Sequence, residues 1–205
     1  MTINTMISAI QSSLKIQADG KAGPETWTAI YNHIVQPIKQ ETMVTLLDPG
    51  TDRLDERSEK NIATLVSEVQ PYARALVHKA ASVGIEIRVI SGLRTYAEQD
   101  ALYAQGRTAS GEKVTNAKGG ESNHNFGIAF DIGIFEGAAY LDESPKYKTV
   151  GMLGVDLGLE WGGNWKTIHD QPHFQLRPDW ANTLSEYEML AELRSRKEAG
   201  ENYYA

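Results

Sequence analysis

The chain reads as an α+β protein, a small and mostly antiparallel sheet flanked by helices, with a short helical segment in front. Three observations predict it. Helical periodicity is concentrated early and late in the chain, and short strand-like runs such as IEIRVIS and IAFDIGIF lie between. The length, 205 residues with 41% hydrophobic content, suits one domain plus a small appendage.

Residues 4–34 read as two short helices around a turn. Ile7, Ile10 and Leu14 recur at helical spacing, ADGKAG supplies the turn, and Pro24 sits where a helix can start. Trp27, Ile30 and Ile34 share a face of the second helix. The stretch VQPIKQETMVTLLDPGTDRL carries two prolines, Pro37 and the Pro49 of the Pro49-Gly50 turn pair, and reads as a linker. Residues 57–83 form a long amphipathic segment with Pro71 positioned to kink or divide it. A strand follows from Ile85 to Ser91. Thr95 and Glu98 make a T-x-x-E capping box that opens the helix YAEQDALYAQG. Residues 107–123 are a Gly-, Ser- and Asn-rich loop, long enough to imply a job or mobility. A second strand runs from Ile128 to Phe135. Ser144-Pro145 opens a helix to about Asp156, Leu159–Trp161 and His173–Leu176 are short strand candidates, and Pro178 starts a charged C-terminal helix.

Composition excludes several classes. There is no cysteine, so disulfides, thiol nucleophiles and Cys-type zinc sites are out. A formal charge of −7 leaves no basic footprint for nucleic acid or anionic membranes. No stretch approaches the roughly 18 apolar residues of a membrane span. The N-terminus has no basic start and no small-residue cleavage site after an apolar core, so it is not read as a secretory signal.

The chemistry concentrates in SNHNFGIAFD and HDQPHF. His124 and Asp131 are seven apart. In one helix they would sit roughly 10 Å apart along the axis; in one strand, roughly 23 Å apart on opposite faces. Neither lets both touch one ion at bond lengths of about 2 Å. A turn at Asn125-Phe126-Gly127 does, with Gly127 free to take a positive φ. His124 is therefore expected in a loop and Asp131 on the following strand. Asp131 interrupts an apolar run, and a metal would offset its desolvation; a strand-edge aspartate facing solvent is the alternative. His169 and His173 have helical zinc spacing, but Pro172 denies the helix a backbone N–H. Asp170 and His173 make better sense on a short turn entering the strand HFQL, although HDQP by itself is also an ordinary turn sequence. Two histidines and one carboxylate are the usual protein set for catalytic zinc. A second carboxylate is then needed to take a proton and pass it on. Asp170 is the candidate, ahead of His169. In SGLRT, Arg94 is held at a strand's C-terminal edge, where a guanidinium suits a substrate carboxylate or an oxyanion, and Gln99 lies just beyond.

These residues match a known pattern. SNHNFGIAFD fits S-x-H-x-x-G-x-A-x-D and DQPHF fits D-x-x-H, so the chain resembles the zinc D-Ala-D-Ala peptidase and L-alanyl-D-glutamate endopeptidase family. That family belongs to the wider LAS metallopeptidases. SGLRTYAEQDALYAQGRT and EWGGNW strengthen the resemblance, most of all to phage endolysins; it spans about residues 55–180. It implies Zn²⁺ as cofactor with His124, Asp131 and His173 as ligands, and Asp170 as catalytic base. Arg94, Gln99 and Ser122 would contact substrate or stabilise the tetrahedral intermediate. One departure is Gln175, where many members carry an acidic residue, a difference that bears on how a ligand is oriented. QSSLKIQADGKAGPETWTAI resembles part of a peptidoglycan-binding module, at a size below that of most independent domains. The layout this suggests is a partial peptidoglycan-binding-like segment over 1–40, a linker over 41–54, a zinc peptidase domain over 55–182 and a C-terminal helical tail over 183–205.

The resemblance implies an endolysin-like endopeptidase cutting peptidoglycan stem peptides. The alternatives are a D-Ala-D-Ala carboxypeptidase or dipeptidase, and a non-catalytic zinc-stabilised wall-binding or virion protein. With no signal read at its start, the protein is expected to be made in the cytoplasm and to reach the cell wall after holin-type release. It is expected to act as a monomer, without nucleic acid and without inserting into a membrane.

Overall fold

The computed structural model describes residues 2–34, 54–166 and 169–205, so nearly all of the expected linker lies outside the described residues. The chain divides into two compact units, Met1–Leu46 and Leu47–Ala205.

In the first unit, α1 (Ile3–Ser13) is capped by the Thr2 side chain and α2 begins at Pro24 and runs to Ile34. The turn between them closes on an amide. Gln11, 2% exposed, accepts from the Gly20 N–H at 2.8 Å. Its own nitrogen faces Asp19 Oδ1, the Lys21 carbonyl and Thr26 Oγ1 at 2.8–3.0 Å. The anticipated apolar stripe plays a smaller part, since Ile10 is 42% and Trp27 60% exposed.

The second unit starts with α3 (Glu56–Ile62), capped by Asp55, and α4 (Gln70–Ser82). The segment 57–83 is thus two helices. Pro71 sits in the first turn of α4, where its missing N–H costs nothing, and the break over 63–69 buries Leu65 and Val69. β1 (Glu86–Ser91) leads to α5 (Tyr96–Ala104), which carries the expected Thr95–Glu98 capping box. After the long loop come a 3₁₀ turn (Asn123–Phe126), β2 (Ala129–Glu136) and β3 (Ala139–Leu141). α6 (Lys146–Asp156), β4 (Glu160–Trp161) and β5 (His173–Gln175) follow. Pro178 opens only a 3₁₀ turn. The last helix, α7 (Glu186–Ala199), starts at a second capping box, Ser185 with Glu188, that the sequence reading missed.

The fold is the expected α+β architecture. Among the described strands every pairing is antiparallel, in the order β1-β2-β5-β4 with β3 on the end of β2. β2 is central and nearly all buried; Phe130 stacks on Phe174 of β5 at 5.8 Å. The core also takes in Ile62, Leu76, Tyr147 and, from α7, Met189 and Leu193. Burying each such side chain contributes about 1.5–3 kcal/mol. The end of the chain is tied in by Tyr204, whose hydroxyl donates to the Leu176 carbonyl at 2.7 Å. No helix among the described residues is long and apolar enough to cross a membrane.

Candidate metal centre

Sheet register places the first two groups. Asp131 in β2 lies directly opposite His173 in β5 and opposite Ser91 in β1, so the three side chains form one cross-strand row. A bulge between Val89 and Ser91 sits beside this row, an irregularity common next to functional sites. The third group arrives on the 3₁₀ turn Asn123–Phe126. Gly127 closes that turn at φ 67, the left-handed conformation its position in the sequence anticipated. The chain then enters β2, with His124 back over Asp131.

The donor atoms converge. His124 Nε2 is 3.2 Å from Asp131 Oδ1, His173 Nδ1 is 3.3 Å from the same oxygen, and the two nitrogens are 3.3 Å apart. A tetrahedral ion with bonds of about 2.0–2.1 Å has ligand edges of about 3.3 Å. The other ring nitrogens show that lone pairs face inward. His124 Nδ1 is 2.8 Å from the Gly92 carbonyl, which only accepts, so the proton is there and Nε2 is free. His173 Nε2 is 2.9 Å from Gln175 Oε1, which leaves Nδ1 free. The set fits a metal, and among the described residues it is the one His/Asp/Glu group so arranged. Burial raises the Asp131 carboxyl, but the closeness of the His124 and His173 rings outweighs this and holds it well below the usual range.

The expected neighbours line one cleft of about 1340 Å³ with the three donors: Arg94, Ser122 and Asp170. Asp170 is presented by the tight approach of Gly162, where a Cβ would lie 2.5 Å from the Asp170 carbonyl oxygen. Burial pushes the Asp170 carboxyl up, against the pull of His173. Arg94 NH2 is 3.8 Å from Asp131 Oδ2, and its guanidinium donates to Gln99 Oε1 at 2.8 Å. Gln99 itself is 0% exposed and does not line the cleft. Its amide donates to the Ala117 carbonyl at 2.9 Å, joining Arg94 to the long loop. That loop forms one cleft wall through Lys113–Ala117 and is pinned by Arg107 to the Tyr103 and Thr115 carbonyls. His169 is exposed, beside the Gly163 carbonyl, and stands outside the donor group. The sequence reading missed the polar groups behind His173, namely Asn123, Glu160, Arg177 and Glu186; of that layer only Gln175 had stood out.

The family described as D-alanyl-D-alanine carboxypeptidase matches residues 115–176. The chain is 38% identical over 121 residues to the peptidoglycan L-alanyl-D-glutamate endopeptidase CwlK of Bacillus subtilis, covering 54% of this chain and 72% of that protein. It is 31% identical over 124 residues to the L-alanyl-D-glutamate peptidase of Listeria phage A118, covering 58% of this chain and 40% of that one. Among solved structures, the Serratia marcescens L-Ala D-Glu endopeptidase ChiX aligns with a TM-score of 0.47 and 27% identity, over 64% of this chain and 95% of that one. The family match over residues 115–176 holds His124, Asp131, Asp170 and His173, CwlK is matched over 72% of its length, and the chain belongs to the LAS-type zinc metallopeptidases, the family of the D-Ala-D-Ala carboxypeptidases and L-alanyl-D-glutamate endopeptidases.

Proposed function

We propose that the chain is a zinc-dependent L-alanyl-D-glutamate endopeptidase that hydrolyses stem-peptide bonds of bacterial peptidoglycan. The observation that carries this reading is the convergence of three lone pairs, on His124, Asp131 and His173, in a cleft that also holds a half-buried carboxylate and a guanidinium. A structural zinc site needs neither of the last two. The named activity of CwlK and of the phage peptidase supports the choice of bond.

Zinc held there supplies Lewis acidity and lowers the pKa of water. The chain's own residues do the rest. Asp170, made more basic by burial, accepts a proton from the attacking water and returns it to the leaving amine. Arg94 faces the developing oxyanion, and Gln99 aims Arg94 rather than touching substrate. Ser122 and the Lys113–Ala117 wall contact the peptide. The protein acts as a monomer on the cell wall after holin-type release, and residues 1–40 assist by holding peptidoglycan.

The test is mass spectrometry of fragments released from purified peptidoglycan by the protein alone, with chelator, and with zinc restored. New D-Glu N-termini that vanish with chelator and return with zinc are expected. Release of free D-Ala would assign the chain to the carboxypeptidases instead, and no fragments from folded, zinc-loaded protein would leave a binding role.

A further inference from the structure

Behind His173 lies a polar layer, buried at Asn123 and Gln175 and open to solvent at Glu186, whose hydrogen bonds run in one direction. Arg177 donates to Glu160 Oε1 at 2.6 Å and to Glu186 Oε2 at 2.7 Å, so one guanidinium fixes two carboxylates. Each carboxylate then fixes an amide. Glu160 accepts from Gln175 Nε2 at 2.6 Å, and Glu186 accepts from Asn123 Nδ2. Neither amide can turn over without setting a carbonyl oxygen against a carboxylate. Asn123 keeps this orientation although its Oδ1 is buried with no hydrogen-bond partner. Gln175, 1% exposed, must therefore present Oε1 to the remaining donors, Asn123 Nδ2 at 2.6 Å and His173 Nε2 at 2.9 Å. An oxygen there requires the proton on Nε2 of His173.

We propose that Gln175 is a positioning residue that fixes His173 as an Nδ1 metal ligand, its own orientation set by Glu160 and by the Asn123–Glu186 pair. Glu186 is the first residue of α7, so the C-terminal helix is part of the device that builds the metal centre. A neutral amide does here what a carboxylate would otherwise do behind a ligating histidine. It does so without adding a third negative charge beside Glu160 and Glu186. The inference rests on the zinc reading of the site given above.

The test compares zinc affinity, by chelator competition, in the wild type, Gln175→Met and the double variant Gln175→Glu with Glu160→Gln. Methionine keeps the length and removes the carbonyl acceptor, whereas the double variant exchanges amide and carboxylate, so that an acceptor for His173 is kept without two carboxylates in contact. The Met variant should bind zinc about 10- to 100-fold more weakly, with the double variant recovering most of the loss. Long-range ¹⁵N–¹H spectra of the zinc-loaded proteins should show a protonated Nε2 on His173 in the wild type and a mixture of tautomers in the Met variant. Wild-type affinity in the Met variant, or equal loss in both variants, overturns the proposal. Circular dichroism separates such losses from misfolding. Failure of the wild type itself to bind zinc would instead remove the metal reading, so the two failures are distinct.

Discussion

Buried glutamines in two separate parts of the molecule do opposite jobs. Gln11 in the N-terminal unit faces only groups that the turn itself provides: the Gly20 N–H, the Lys21 carbonyl, Asp19 and Thr26. All lie within fifteen residues, and their only evident product is a closed turn. Gln99 and Gln175 reach instead to side chains that chemistry needs, a cleft guanidinium and a metal-binding imidazole. The same side chain, equally buried, is a local staple in one place and a device for aiming a functional group in the other. What separates the two roles is the partner's remaining capacity. Arg94 and His173 still present free donors or a lone pair to the cleft after the glutamine is satisfied.

This comparison can be broken by substitution. The largest effect expected is in Gln99→Leu, which should lower kcat for stem-peptide hydrolysis about 100-fold by letting Arg94 swing, a loss typical of ångström-scale misplacement. Zinc content should stay stoichiometric. A variant with full activity would return Gln99 to the same class as Gln11. Gln11→Leu should leave zinc affinity and turnover on soluble stem peptides unchanged while destabilising the N-terminal unit by about 1–3 kcal/mol. Hydrogen exchange over residues 2–34 would read that loss, and unchanged protection there would contradict it. Smaller still is Gly127→Ala. Its φ of 67 and a Cβ 3.3 Å from the Val66 nitrogen should cost about 1–2 kcal/mol, seen as a lowered Tm.

Legibility in the sequence followed the range of the interactions. The Thr95–Glu98 box and the Gly127 turn were readable because each is complete within a few residues. Ser185–Glu188 is just as local, but Pro178 drew the helix start eight residues too early. β3 gave no signal, since Ala139–Leu141 is short and largely exposed, with little alternation to detect. The donors His124, Asp131 and His173 were recoverable because two dense motifs carry them, even though 42 residues separate Asp131 from His173. The layer behind them was not. Asn123 meets Gln175 across 52 positions and Glu186 across 63, and each residue alone is unremarkable in composition. Gln99 was noticed for a polar side chain near Arg94, yet only the packing shows that it is sealed away from the cleft.

The measurement that tests the central claim most directly is zinc content and peptidoglycan hydrolysis, side by side, in His124→Ala and Asp170→Ala. The account predicts that the first loses both, whereas the second keeps its zinc and loses about 100- to 10,000-fold in kcat. Equal zinc loss in the two variants would make Asp170 a part of the metal site rather than the base, and full activity in Asp170→Ala would contradict the mechanism outright.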